Sequence, residues 1–403
     1  MVRYLGPIVA LAGVMTGVAA GEPLQLDLAK VGAGGEVGGP AYDFRIGRFE
    51  IRNEDFITFL NDALANFDNE RGMYVYVDTD TGDVYVNTVE LGETGVGAND
   101  RTTLMFSPAA AGQIEFVGGS YGIVSDAVDY ATHPVTGVSW FGAVKFCNWL
   151  TIQVGIDPDQ RCYTEAAADD PDGWHPVTIT HTGWSLRDLS DEERESLTTE
   201  FLGYRLPMDH GAEVTAAFNE WYKASAYDPV APDVVRVRPF GPDVAPDHWI
   251  FGFGRDVIDS VDANFLASGD PFDGFAPATT PVGFFDGINL LTDLTATRDT
   301  DNPYGLYDLS GNVWEWMQDR GDSLDQRRHR GGGWDLTEAF VENTFVSGNL
   351  ADATPNWVGF RVVQADLGLD PLVEPDDTVV MRFTGPAGGP FAPLNIEYTI
   401  QSL

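Results

Sequence analysis

The chain has 403 residues, and its 62 acidic against 23 basic side chains give a formal net charge of −39 and an isoelectric point near 4.1. A nucleic-acid-binding surface needs a basic stripe to release counterions, which the lysines Lys30, Lys145 and Lys223 and the scattered arginines do not supply; the same negative field disfavours anionic lipid surfaces. Hydrophobic content of 43% is too high for a disordered polyelectrolyte, so the chain folds around a core. The surplus of carboxylates reads first as a solvated face, with cation sites and attraction for basic partners as the narrower alternatives.

The N-terminus reads Met1-Val2-Arg3, then an apolar run from Leu5 to Ala20 ending in small residues before Gly21. That layout is a secretory signal peptide at 1–20, which predicts an exported protein, periplasmic, cell-surface or extracellular. The run is too short and glycine-interrupted for a span, and no membrane span is expected after cleavage. Residues 21–40 are Gly-rich and read as a lead-in. Phe44 to Ile51 alternates as a strand, and Asn53 then caps a helix carrying Phe56, Phe59, Leu60, Ala63, Leu64 and Phe67 at helical spacing. Tyr74 to Val77 and Val84 to Val86 flank an acidic turn whose glycine is misplaced for an EF-hand, so a β-hairpin is predicted.

A second helix is expected from about Trp140 to Ile152, capped by Ser139, and a third near Ala212 to Tyr227. Short strands and turns follow up to Val363, which makes the main domain, 41–365, an α+β fold. Residues 366–403 read as an acidic linker and a short C-terminal β appendage around Thr378 to Phe383 and Ile396 to Ile400. Fourteen residues separate the two cysteines, Cys147 and Cys162. A disulfide closing that loop would stabilise by about 3 kcal/mol; a pair of buried thiols is the equal alternative.

Three stretches carry chemistry. Asn302 to Trp316 sets Glu315 between two tryptophans, with Asp308 seven residues earlier across a glycine turn. Two acids with nearby backbone carbonyls make a hard-cation oxygen cage, which suits calcium better than zinc; an ion pair between Glu315 and an arginine is the alternative, because a buried carboxylate must be paired, hydrogen-bonded or metal-bound. Ala263-Asn264-Phe265 with Asp273-Gly274-Phe275 offers an amide and a carboxylate across a loop. Arg330-Gly331-Gly332-Gly333-Trp334 permits close backbone approach and pairs at a distance with Gly359-Phe360-Arg361.

Together with His133-Pro134-Val135, Val138-Ser139-Trp140, Tyr204-Arg205-Leu206-Pro207 and Glu220-Trp221-Tyr222-Lys223-Ala224, these motifs stand in an order that resembles the formylglycine-generating enzyme (sulfatase-modifying factor) family from about Tyr42 to Val363. The resemblance implies that family's α+β variant of the C-type lectin-like fold. It also implies two calcium ions, one on the Asn264 side chain, the Phe265 carbonyl, the Asp273 side chain and the Phe275 carbonyl. The other would sit on Asp308, the Gly311 and Val313 carbonyls, and Glu315.

The catalytic positions do not carry over. Active aerobic members bind copper with two cysteines five residues apart, after a Gly-Gly-Ser-aromatic turn, and oxidise a substrate cysteine to formylglycine. This chain has Leu336 and Val341 there, and Gly333 in place of the serine. Neither side chain ligates a metal or carries a thiolate, so no catalytic residue is assigned and copper is not expected. The histidines, His133, His175, His181, His210, His248 and His329, show no metal-binding spacing. The expected protein is an exported, calcium-stabilised pseudoenzyme that acts as a binding or structural module, with Trp334, Asp335, Glu338, Asn349 and Trp357 as the candidate ligand face and a peptide, glycan or envelope component as its partner. The alternative is an oxygen- and metal-dependent oxidoreductase of the same family with altered chemistry.

Overall fold

The structure is a computed structural model that describes residues 24–32, 39–65, 75–86, 103–126, 128–163, 189–210, 217–227, 248–266, 268–323 and 326–367, with four short strand segments at 179–180, 185–186, 371–373 and 379–381. The signal-peptide segment 1–20 and residues 382–403 of the predicted β appendage lie outside the described residues.

In chain order, β1 (Leu28–Val31) and β2 (Phe44–Gly47) lead into α1 (Asn53–Ala65), followed by β3 (Val75–Val77), β4 (Val84–Val86), β5 (Thr103–Phe106), the single turn α2 (Pro108–Ala111) and the hairpin β6 (Ile114–Val117) and β7 (Ser120–Ile123). Next come α3 (Trp140–Gln153), β8 (Ile179–Thr180), β9 (Ser185–Leu186), α4 (Asp191–Thr199), β10 (Tyr204–Arg205) and α5 (Glu220–Ala226). The strands β11 (Trp314–Arg320), β12 (Gln326–Arg330), β13 (Ser347–Leu350), β14 (Val358–Gly359) and β15 (Val363–Ala365) complete the main body, and β16 (Pro371–Val373) pairs with β17 (Val379–Met381) beyond it.

Two four-stranded sheets organise the fold. One runs β1-β2-β15-β10, so the start and end of the main domain are zipped together, with Val31 opposite Phe44 and Phe44 opposite Ala365. The Gly-rich lead-in therefore contains a strand, β1, whose Ala29 and Val31 are buried. The other sheet runs β13-β12-β11-β14, antiparallel except for the β11 and β14 pair, where Glu315 stands opposite Gly359. Among the described residues no helix is long and apolar enough to cross a membrane.

The predicted helices hold in outline. Phe56, Phe59, Leu60 and Ala63 line the buried face of α1. Helix α3 is buried almost all round, as expected of a helix without a polar face, and the Ser139 hydroxyl accepts the Gly142 N–H at 3.2 Å. Rings from both helices meet Phe360, with centroids 5.7 Å apart for Phe56 and Phe146 and 5.5 Å for Phe146 and Phe360. Two tryptophans fasten α3 and the residues just before it to β11: the Trp140 indole donates to the Met317 carbonyl at 3.1 Å, and the Trp316 indole to the Val138 carbonyl at 3.0 Å. The third helix is shorter than its apolar spacing suggests, because the Asn219 side chain accepts the Tyr222 N–H and starts α5 at Glu220. Cys147 and Cys162 are buried free thiols, and burial pushes both above the ordinary thiol range.

His329 on β12 is fully buried, edge-on to Trp316 at 4.4 Å and flanked by Trp314 and Trp357. Neither ring nitrogen has a hydrogen-bond partner among the described residues. Burial lowers its pKa to about 3, and His133 is lowered to about 4 for the same reason. An unfolded histidine titrates near 6.5, so below that pH the unfolded chain binds protons that the folded chain refuses. The resulting stability is complete above pH 6.5 and is lost as pH falls through the window between the two values. Urea unfolding from pH 7 to pH 4 should show declining stability, with a shallower decline for His329→Phe; an unchanged slope in that variant would contradict the assignment.

Candidate functional site

The run before β11 is built by left-handed backbone and side-chain amides. Asp308, Gly311 and Asn312 have φ of 57°, 91° and 63°. A Cβ at Gly311 would run into the Asn264 carbonyl, so glycine is required for that approach. Asn312 then ties three segments together. Its N–H donates to the Asn264 carbonyl at 2.7 Å, its Oδ1 accepts from Asn264 Nδ2 at 3.3 Å and the Thr280 N–H at 3.0 Å, and its Nδ2 donates to Glu50 Oε1 at 3.3 Å.

Glu315 and Arg361 are both fully buried and form a two-pronged pair: Arg361 Nη2 donates to Glu315 Oε1 and Nε to Oε2, each at 2.7 Å. The Trp221 indole donates to Oε2 at 2.8 Å. The guanidinium also donates to the Gly47 and Tyr307 carbonyls at 3.0 Å. Burial, reinforced by Asp308 and Glu315, pushes the carboxyl of Glu50 well above the usual range against the opposing pull of Arg361, and Asp308 is raised in the same way. Glu50 also lines a cavity of about 310 Å³ with Phe49, Arg52, Asp55, Thr132 and Val282, a cavity whose lining contains none of the predicted ligand-face residues.

The two expected calcium positions differ in fit. At the second, both oxygens of Glu315 are committed to Arg361, whose charge already balances it, and Asp308 Oδ2 accepts the Gly283 N–H at 2.6 Å, so this donor set does not fit a calcium ion. At the first, Asn264 is 2% exposed and directs Nδ2 to the Ala278 carbonyl at 2.9 Å, which leaves its Oδ1 with no partner among the described residues. An orphaned buried amide oxygen is what a hard cation would satisfy. Asp273 is exposed and adjoins Asp270, a residue the sequence reading missed, which is 1% exposed and raised to about 6 by burial and, to a lesser extent, by Asp273. The Phe265 carbonyl accepts the Ser268 N–H at 2.9 Å, and the Phe275 N–H donates to the Phe272 carbonyl. Among the described residues no group of three or more His, Cys, Asp or Glu side chains is arranged to hold a metal ion.

The Gly331 to Val341 loop is closed by apolar packing. Val341 is fully buried in a cluster with Ile250, Phe251, Phe253, Ala263 and Phe265. Gly332 has φ of 74°, and a Cβ there would meet the Phe340 carbonyl and Val341 Cγ1 at 2.6 Å. Leu336 is half-buried against the main core, and its carbonyl accepts the Leu266 N–H at 2.7 Å. Trp334 and Trp357 flank the start of β11: the Trp334 N–H donates to the Asn312 carbonyl and the Trp314 N–H to the Trp357 carbonyl. Asp335 is exposed and Glu338 half-buried on the same loop, and Asn349, half-buried on β13, stands opposite Arg327 of β12.

The sulfatase-modifying factor enzyme 1-like domain profile matches residues 40–366. The chain belongs to the sulfatase-modifying factor family, and its mixed helices and strands are that family's α+β variant of the C-type lectin-like architecture. An inactive C-alpha-formylglycine-generating enzyme 2 from Bos taurus is 40% identical over 67 residues, covering 15% of this chain and 22% of the relative, so the chain matches about a fifth of that protein's length. The solved structure of CarF is similar over 85% of this chain and 98% of its own, with 19% identity and a TM-score of 0.45. Treponema denticola variable protein 1 is similar over 85% and 95%, with 16% identity and a TM-score of 0.40.

Removing one partner of a buried, paired charge leaves the other stranded, at a cost of about 3–5 kcal/mol. Arg361→Ala should destabilise the chain by that amount, and Arg361→Lys should recover only part, because an ammonium cannot reproduce the two-pronged contact. Chemical denaturation of both variants beside the Glu315→Met/Arg361→Met double variant tests the pair. The double variant should be less destabilised than Arg361→Ala.

Proposed function

We propose that this chain is an exported, calcium-stabilised member of the sulfatase-modifying factor family that lacks the oxidase reaction and works as a binding or structural module. The observation that carries this reading is the packing of Val341. One of the two positions at which the family's active members place copper-binding cysteines is a fully buried valine inside an aromatic cluster, and the other is a leucine whose carbonyl is bonded to Leu266. No thiolate can form at either position, so the family's copper chemistry has no ligands there. The inactive bovine relative is consistent with loss of that reaction within the family. The signal-peptide layout of residues 1–20 supports export.

The binding face is assigned to Trp334, Asp335, Glu338 and Trp357, two half-buried indoles and two acidic side chains of which Asp335 is exposed. Such a face suits stacking on a sugar or gripping a basic peptide. Calcium is assigned to the Asn264 and Asp273 position, because the orphaned Asn264 Oδ1 is the atom there that lacks a partner. An ion that binds only the native state raises its melting temperature. Calcium should therefore raise the melting temperature of the wild-type chain and a chelator should lower it, while Asn264→Ala should melt at one temperature in both conditions. An unchanged wild-type melting temperature with chelator would remove calcium from the proposal.

A further inference from the structure

Nine large apolar side chains are exposed among the described residues, and three of them, Ile288, Leu290 and Leu294, fall within seven positions of one hairpin. Ile288 at 80% and Leu294 at 76% are the two most exposed of the nine. Single exposed leucines are ordinary, but this cluster stands on a firmly held support. The hairpin is closed by bridges from Asp286 to Asp299 and from Leu290 to Ala296. Leu291, 5% exposed, is its inward anchor beside Phe284 and Phe285. The Thr292 N–H donates to the Gly269 carbonyl and the Arg298 N–H to the Val261 carbonyl, so both arms are bonded to the body.

Leu294 is the informative residue. Its φ is 68°, in the left-handed region that a side chain with a Cβ enters at a cost of about 1–2 kcal/mol. Glycine or asparagine would relieve that strain, and at 76% exposure the fold recovers little of it by burying the leucine. Neither backbone preference nor packing accounts for a leucine at this position, whereas contact with something outside the chain does.

The electrostatic surroundings say what that contact can be. Asp286 Oδ1 accepts the Ile288 and Asn289 N–H groups, Asp293 Oδ1 accepts the Thr295 N–H, and Asp299 Oδ1 accepts the Tyr307 hydroxyl. These donors are neutral, and the Thr295 N–H holds the Asp293 carboxyl below its usual range, so it stays ionised. Arg298, the basic residue of the hairpin, turns to Asp262 at 2.6 Å and Asp259 at 3.5 Å. An aliphatic tip with Asp293 beside Leu294 in the turn and Asp286 and Asp299 bridged at the base of the same hairpin, on a chain of net charge −39, repels a second copy and an anionic lipid surface, and attracts a cation.

We propose that the Ile288, Leu290 and Leu294 tip is a docking surface for a cationic polypeptide segment with an apolar face, separate from the rim around Trp334. The aliphatic side chains fill the partner's apolar stripe, while Asp286, Asp293 and Asp299 face its basic residues. Because both arms are fixed to the body, docking orders little that is not already ordered.

The test uses the full chain, a fluorescent amphipathic peptide of leucine and lysine, a polylysine peptide of equal charge, and zwitterionic and anionic lipid vesicles. The leucine-lysine peptide should bind more tightly than polylysine, weaken as salt is raised, and lose about ten-fold or more in affinity in the Ile288→Ser/Leu294→Ser variant. That variant should melt at the wild-type temperature, since both side chains are exposed. Unchanged peptide affinity in the variant, absence of peptide binding, or vesicle binding that the variant abolishes would each overturn the proposal.

Discussion

The structure turns on a buried carboxylate and a buried guanidinium that cannot stand alone. Glu315 and Arg361 each lack any exposure, and their two-pronged contact joins β11 to the segment between β14 and β15. Trp221 brings α5 to the same carboxylate, and the remaining donors of Arg361 hold the carbonyls of Gly47 and Tyr307. Four stretches distant in sequence, around residues 47, 221, 307–315 and 361, are thus registered by one pair. Desolvation makes such a pair a poor source of net stability, but it penalises any arrangement that separates the two charges, so it selects one packing. The nearby carboxyls of Glu50 and Asp308 are raised chiefly by burial, with the Glu315 carboxylate adding to the effect and the Arg361 guanidinium opposing it.

On the proposed reading, scaffold and chemistry have separated in this chain. The start of β11, the Gly311 turn and the Asn312 bonds form one connected support, while the loop after Gly333 carries Leu336 and a buried Val341. A fold carries no function by itself; here the loop is held by apolar packing at Val341 and by the Leu336 carbonyl, and neither side chain supplies a metal ligand. What distinguishes the surface is elsewhere, in the rim around Trp334 and in the rigid aliphatic tip at Ile288 and Leu294.

Much of this was legible in the sequence where one local signal decided the outcome. Helices α1 and α3 followed from apolar spacing, and the β3 and β4 hairpin from alternation around an acidic turn. Ser139 caps α3 as expected, whereas Asn53 is the first residue of α1 and its Oδ1 accepts no hydrogen bond among the described residues, so the expected Asn53 cap is not made. The third helix was over-extended, because the periodic apolar residues before Asn219 could not reveal that its side chain would begin the helix there. Strand β1 was hidden in a Gly-rich segment, since four residues become a strand only through pairing with β2. At Glu315 the sequence left cation and arginine open as partners; Arg361 lies 46 residues away, and only the parallel β11 and β14 register brings it near. Asp270 was passed over although the Asp270-Pro271-Phe272-Asp273 run holds two acids close together. The 286–299 hairpin was missed because its apolar residues read as ordinary strand residues, and exposure is a property of the folded chain.

The central claim is that a family scaffold persists here without the family's oxidase reaction. Oxygen consumption and formylglycine formation, measured on a cysteine-containing peptide with the purified chain loaded with copper, address it most directly. The account predicts neither oxygen uptake nor aldehyde above the protein-free control. Copper-dependent turnover by the wild-type chain would contradict it.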